Sequence, residues 1–430
     1  MKFGKRQDPK EVKPPLFAEE NEPLSPEMQK EKEKSEIKFS GKHIALRIIL
    51  FILLLGGGAT LVVFSVLGFL SPSSGLQQIK PNNSEEILFA GDYSFFYYLS
   101  GNSMEVNAQV KQISGDYSEV ALFAYASLDE KNEYATVPSI GKVNLHPNEF
   151  VALDEKTFNI IQDAYSYDKT SILQGPLVEL WETLIASPTK INDPSSDMAS
   201  KSYIEDYAAL LAGGKIGLTL DATQKAVRLD LSSETLAWKE EQGYSGPFLH
   251  LNQYKNAYAM SYLANALEGK GYRNGYLESS DGVVIRLSDY TSPSLRLYGY
   301  HDDATVAFVL SMGDYKQYAQ VKHFKPCGYV AGEDPALLRS LDIQENGYGP
   351  SYVAQSALLG KDEGLVAIKR KAIELARCEG KDEISASISS LGDLAYLYEI
   401  VKEEKVLHVS SSLEPLLTIN TYSGYTIMKG

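Results

Sequence analysis

From Ile48 to Leu70 the chain reads "IILFILLLGGGATLVVFSVLGFL", without one charged residue. No other feature limits it as strongly. At about 1.5 Å of helical rise per residue, such a run crosses a hydrocarbon core of roughly 30 Å with some tilt. Lys38, Lys42 and Arg47 precede it, and Lys80 is the first charge beyond it. The positive-inside rule then sets the N-terminus in the cytoplasm and everything after Leu70 outside. A cleavable signal peptide would have a shorter apolar core and a shorter charged leader. No cysteine stands near position 70 to carry a lipid. The expectation is a single-pass signal anchor over 44–70, in contact with the lipid bilayer.

The rest divides by composition. Residues 1–43 are rich in Lys, Glu and Pro with little apolar periodicity, as in a disordered cytoplasmic tail. Residues 71–84, "SPSSGLQQIKPNNS", read as a flexible tether. Residues 85–430 are globular in composition. "VALFAYASL", "GVVIRL", "LRLYGY", "VAFVLS", "KVLHVS" and "PLLTINTY" read as strands. "PLVELWETLI", "AYAMSYLANALE" and "LVAIKRKAIELARC" carry the three-and-four apolar spacing of helices. The alternation, without a fixed repeat, predicts a single mixed α/β (α+β) globular domain. Residues 1–47 hold 11 basic and 9 acidic side chains, which leaves 30 basic and 47 acidic beyond them. A domain at net −17 repels phosphate backbones, so nucleic acid is not expected as a partner.

Short motifs say less. The six histidines show no H-E-x-x-H spacing, which argues against a zinc protease. Two cysteines, Cys327 and Cys378, are too few for a four-cysteine zinc site, and whether they pair is open. Ser166-Tyr-Asp-Lys169 fits S-x-x-K but has no K-T-G downstream. Gly269, Gly271 and Gly275 follow a helix instead of opening one, so they read as helix-ending glycines. His301-Asp302-Asp303 reads as a solvated turn. The 28 tyrosines would suit stacking on a flavin or a sugar, or simply a tyrosine-rich core and surface.

Several segments in order resemble the FAD:protein FMN transferase (ApbE) family. "PSIGKVNL" is similar to the family's S-E-I-x-x-L-N, with Asn144 matching and Ser139 in place of the glutamate. "YDKTSILQGPLVELW" resembles F-D-x-T-x-G-P-L-x-x-L-W through Gly175, Pro176, Leu177 and Trp181. "LHLNQYKNAYAM" resembles D-L-G-G-x-A-K-G-Y-x-x-D, keeping Lys255 but carrying Asn252, Asn256 and Met260 where the family has two glycines and an aspartate. "YLESSDGVVIRL" lies where the family has N-x-G-G-D, with Asp281 kept and Ser279 and Ser280 replacing glycines. "LSMGDYKQY" is close to A-T-S-G-D-Y-x-R-Y, including Ser311, Gly313, Asp314 and Tyr315. "HFKPCGY" looks like a shortened H-x-x-D-P-x-T-G-Y with His323, Pro326, Gly328 and Tyr329. "SYVAQSALLG" resembles D-A-x-x-T-A-L, whose Asp and Thr bind metal in the family and fall here on Tyr352 and Ser356.

The resemblance implies a flavin-transferase fold outside the membrane. Such a protein attaches FMN from FAD to a Thr or Ser of an acceptor protein through a phosphoester, with magnesium. It assigns FAD contacts to Asn144, Gly175, Lys255, Asp281, Ser311, Gly313, Asp314 and Tyr315. His323 and Lys255 become the catalytic candidates and Ser356 the metal candidate. The replaced residues fall at sites of function, because a phenol near neutral pH does not supply the hard, charged oxygen of an aspartate. The alternative expectation is therefore a catalytically inactive member that binds flavin or a protein at the membrane surface.

Overall fold

The structure is a computed structural model that describes residues 73–82, 93–186, 198–251, 254–292, 295–300, 306–322, 352–400, 403 and 405–430. The chain divides into two units, Met1–Leu70 and Ser71–Gly430. The first lies outside the described residues, and with it the tail and the apolar run. Among the described residues no helix is long and apolar enough to cross a membrane.

The described part of the second unit is built on one large sheet. Its strands, in spatial order, are β1 (Gly75–Ile79), β2 (Tyr93–Leu99), β6 (Gly275–Ser279), β7 (Val283–Arg286), β10 (Gln317–Lys322), β11 (Val353–Gly360), β12 (Ala395–Ile400), β13 (Val406–Val409) and β15 (Thr426–Lys429). Every pairing is antiparallel except β13 with β15. A second sheet has the order β14 (Leu417–Ile419), β9 (Val306–Ser311), β8 (Arg296–Tyr300). A third has β3 (Val151–Ala152), β5 (Ala226–Leu231), β4 (Ile216–Asp221). The helices are α1 (Ser103–Leu128), α2 (Ile140–Leu145), α3 (Glu155–Tyr167), α4 (Gly175–Ala186), α5 (Met198–Ala212), α6 (Ser233–Glu241), α7 (Lys255–Gly269), α8 (Leu365–Ala376) and α9 (Lys381–Ser389).

Both faces of the large sheet are covered, which explains why its strands read as unbroken apolar runs. On one face Leu277, Val283, Ala319, Val321 and Leu358 join Val120, Ala124, Leu263, Ile368 and Ala372 of α1, α7 and α8. On the other, Tyr276, Val284, Tyr318, Ala357 and Leu397 meet Phe308, Leu310 and Leu417 of the second sheet. Neighbouring residues such as Val283 and Val284 therefore point into different cores, as the two-residue period of a strand requires.

Two expectations are corrected. "VALFAYASL" is the last third of α1, not a strand. Asn102 caps that helix by accepting from the Met104 and Glu105 N–H groups, while Glu105 reaches back to the Asn102 N–H. Its apolar residues bury at 113, 117, 120, 121, 124 and 128, a helical spacing that continues through the segment. Residues 75–79, read as part of a tether, form β1 on the edge of the large sheet, with Ile79 buried.

Candidate functional site

Helix α7 begins at Lys255, and the irregular stretch before it, "PFLHL" (247–251), is held through its backbone. The Asn144 amide donates to the Leu249 carbonyl at 2.8 Å and the Glu130 carbonyl at 2.9 Å. Its oxygen accepts from the N–H groups of Phe248 (3.1 Å) and Leu249 (2.8 Å). A carboxamide offers two donors and two lone pairs, so Asn144 is spent entirely on backbone. Gly175 donates its N–H to the Phe248 carbonyl at 3.2 Å, and a Cβ there would collide with the Pro247 carbonyl oxygen. These two matched positions thus clamp the approach to α7 together.

Glu130 completes the clamp from the loop after α1. Its carboxylate is buried, with a side chain only 4% exposed. It accepts the Leu251 N–H at 2.7 Å and lies 3.0 Å from Lys255 Nζ and 3.4 Å from His250 Nε2. Burial pushes this carboxyl upward, but His250, Lys255 and the Leu251 N–H together outweigh it and hold it below the ordinary glutamate value. Lys255 remains about one-third exposed, so one side of its ammonium meets solvent while the other is fixed.

The next residue, Asn256, ties this corner to the end of the large sheet. Its side-chain oxygen accepts from the Tyr93 hydroxyl at 2.6 Å, and Tyr93 pairs in register with Ser279. The Ser279 hydroxyl donates to Asp281 in the tight β6–β7 turn, where Gly282 takes a left-handed φ of +80°. Asp281 in turn lies 3.3 Å from Lys369 Nζ, which also donates to the Gln320 carbonyl at 2.7 Å. Lys369 stands on α8 one turn before Ala372, whose carbonyl accepts the Ser356 hydroxyl at 2.7 Å. Lys255, Asp281 and Ser356 are thereby linked along one end of the sheet.

The remaining matched residues lie at the other end of β10. The Lys316 N–H donates to the Gly360 carbonyl, and Asp314 pairs with Lys361. Gly313 adopts φ +52° and its carbonyl accepts from Arg286 Nη1 at 2.8 Å. The Tyr315 ring is buried in the second core, and Ser311 accepts weakly from the Gly313 N–H at 3.4 Å. At roughly 3.3 Å per strand residue, the six residues of β10 put about 16 Å between this loop and Asp281. His323, which follows β10 in sequence, lies outside the described residues, as do Cys327 and the His301-Asp302-Asp303 turn.

The donors do not suit a magnesium ion. Ser356 is fully buried and its hydroxyl points at a helix carbonyl. Tyr352 offers a phenol, not a carboxylate, and packs against the first core. The Lys369 ammonium, one turn of α8 from the carbonyl that Ser356 bonds, is a cation and not a ligand for one. Magnesium asks for charged oxygens in near-octahedral array, and among the described residues no group of three or more His, Cys, Asp or Glu side chains gathers to hold a metal. Lys169 lies over the Tyr165 ring, which accounts for the S-x-x-K lysine without catalysis. Gly269 ends α7 and Gly271 takes φ +94°, so these glycines stop a helix as expected.

Glu130, His250 and Lys369 escaped the sequence reading. Glu130 sits in "LDEKNEY", indistinguishable from a solvated acidic loop. Lys369 did leave a signal: with Leu365, Ala372 and Ala376 it falls at the three-and-four spacing of the buried face of α8.

Solved structures align with this architecture over most of its length. Flavin transferase ApbE from Vibrio cholerae matches with a TM-score of 0.52 at 13% identity, covering 80% of this chain and 100% of that one. A single-site mutant of the same protein gives 0.53 over the same shares. The ApbE protein from Thermotoga maritima gives 0.50 at 14% identity, covering 80% and 99%. The fold is that of the ApbE flavin transferases. No protein-family model and no curated relative matches the sequence. At this identity the likeness is one of fold.

Proposed function

We propose that this protein handles FAD at the outer face of a membrane and transfers FMN from it to an acceptor protein. Residues 44–70 anchor it in the bilayer, residues 1–43 stay in the cytoplasm, and residues 71–430 work outside. The reaction joins the hydroxyl oxygen of an acceptor Thr or Ser to the FMN-side phosphorus of FAD. The bond from that phosphorus to the bridging oxygen breaks, AMP leaves, and the hydroxyl proton passes to a base. His323 is the candidate base. Lys255, with Asp281 and its neighbours, faces the diphosphate, where fixed positive charge offsets the charge of the reacting phosphoryl group.

One observation carries this reading: in an ApbE fold, Lys255 and Asp281 are joined through Asn256, Tyr93 and Ser279 at a single end of the sheet. A second reading, a flavin-binding member without catalysis, is favoured by Met260 and Ser356. Both stand fully buried where the family carries ligands, and neither offers a charged oxygen. The two separate in one experiment. The purified protein is incubated with FAD, with and without magnesium, and a flavin-acceptor protein, which is then weighed by mass spectrometry. An added FMN, with AMP released in equal amount, supports the transferase. Bound FAD with neither adduct nor AMP supports the binding module.

A further inference from the structure

We propose that the Lys369 ammonium stands in for a divalent cation, so that this chain binds the diphosphate of a dinucleotide without metal. The inference rests on the flavin reading above and concerns how that site neutralises its ligand. Three features carry it.

Lys369 is where the positive charge is wanted. Gln320, whose carbonyl it holds, precedes Val321, and Val321 pairs in register with Ser356, the position that answers to a metal-binding threonine. Lys369 and Ala372, the partner of the Ser356 hydroxyl, share one turn of α8. A divalent cation at this place would meet an ammonium instead of an oxygen ligand.

The ammonium is also built in. Its side chain is 4% exposed, and an isolated buried charge is expensive unless it is paired and hydrogen-bonded. Among the described residues Lys369 has one carboxylate and one carbonyl, against the three N–H groups an ammonium offers. The carboxylate contact, at 3.3 Å, is the longer of the two, and Asp281 divides its attention with the Ser279 hydroxyl. A phosphate oxygen is a stronger match for this cation, since charge-assisted N–H···O bonds to phosphate close to about 2.7–2.9 Å.

Finally, the carboxylate that Lys369 holds reaches the surface. Asp281 is 31% exposed, so the β6–β7 turn is the side from which a ligand would approach Lys369. Lys255, partly exposed at the start of α7, supplies a second cation next to Asn256. Lysine acts on phosphate as a compact point charge, which tolerates the loss of the family's geometric metal cage.

The test titrates FAD into the purified full-length protein and follows flavin fluorescence, once in excess EDTA and once in excess magnesium. The expected result is an affinity that differs by less than about threefold between the two. Lys369→Met should weaken binding about 10- to 100-fold in EDTA, the usual worth of a hydrogen bond to a charged group. Lys369→Arg, which keeps the charge, should retain most of it. Lys369→Gln keeps a donor for Gln320 without the charge, and it decides the matter if the Met variant does not fold. Binding that requires magnesium would overturn the inference and leave the flavin reading standing. Wild-type affinity in both the Met and Gln variants would do the same. No FAD binding in either buffer would overturn both.

Discussion

Replacing Asn144 by leucine removes the side chain that holds residues 248 and 249 in place. Leucine keeps the branched shape of asparagine but is larger, so the change leaves no cavity and its cost combines the lost hydrogen bonds with some overpacking. Four bonds disappear, and the Phe248 and Leu249 N–H groups lose the acceptor they share. Asn144 is 8% exposed and Leu249 wholly buried, so water does not readily replace the lost partner. A buried donor or acceptor left unpaired costs about 1–3 kcal/mol. With two donors orphaned and two carbonyls weakened, the loss should come to about 3–5 kcal/mol. Urea unfolding followed by tryptophan fluorescence measures it as a drop in midpoint at unchanged slope. The same variant should lose FAD affinity, because the clamp aims Lys255. A loss below about 1 kcal/mol, near the ±0.5 kcal/mol typical of a surface substitution, would refute the claim that this residue fixes the approach to α7.

Three further outcomes follow from the same contacts. Gly175→Ala drives a methyl into the Pro247 carbonyl, which cannot rotate away, and should cost about 2–4 kcal/mol in the same unfolding assay. The Glu130 carboxyl is held below its ordinary value in the folded chain, so its stabilising contribution is full above the unfolded glutamate value of about 4.3 and is lost as pH falls through the lowered one. Unfolding midpoints measured from neutral pH downward should therefore fall on the acid side, and Glu130→Gln should flatten that fall. Burial pushes the Cys378 thiol up to about 11, helped by Glu383 and Glu374. In a Cys327→Ser background it should resist a thiol reagent at neutral pH and react fully only in denaturant.

Much of the fold was legible because local signals and tertiary burial agreed. The helices α4, α7 and α8 and the strands β7, β8, β9 and β13 fall within a few residues of their apolar patterns. One of the two exceptions, the end of α1, shows the limit. "VALFAYASL" is apolar on nearly every side, and period alone does not separate a deeply buried helix from a strand. Its cap at Asn102, eighteen residues upstream of Val120, was the decisive signal.

The site was legible in kind more than in role. Matching motifs drew attention to Asn144 and Gly175, but a motif does not say whether a residue touches ligand or backbone. Here both hold the 247–249 segment. Motif order likewise gave no hint that Gly313–Tyr315 and Asp281 would sit at opposite ends of β10. That separation follows only from strand register. Glu130 was hidden because a charged residue in a charged stretch looks solvated until the fold buries it, whereas Lys369 was marked only by its place on the buried face of α8.

A crystal structure of the protein soaked with FAD in the presence of EDTA tests the account most directly. The account predicts diphosphate density at the end of the large sheet, within hydrogen-bonding distance of Lys369 Nζ and facing Lys255. Density at the Gly313–Tyr315 loop, or a diphosphate seated on Ser356 only after magnesium is added, would contradict it.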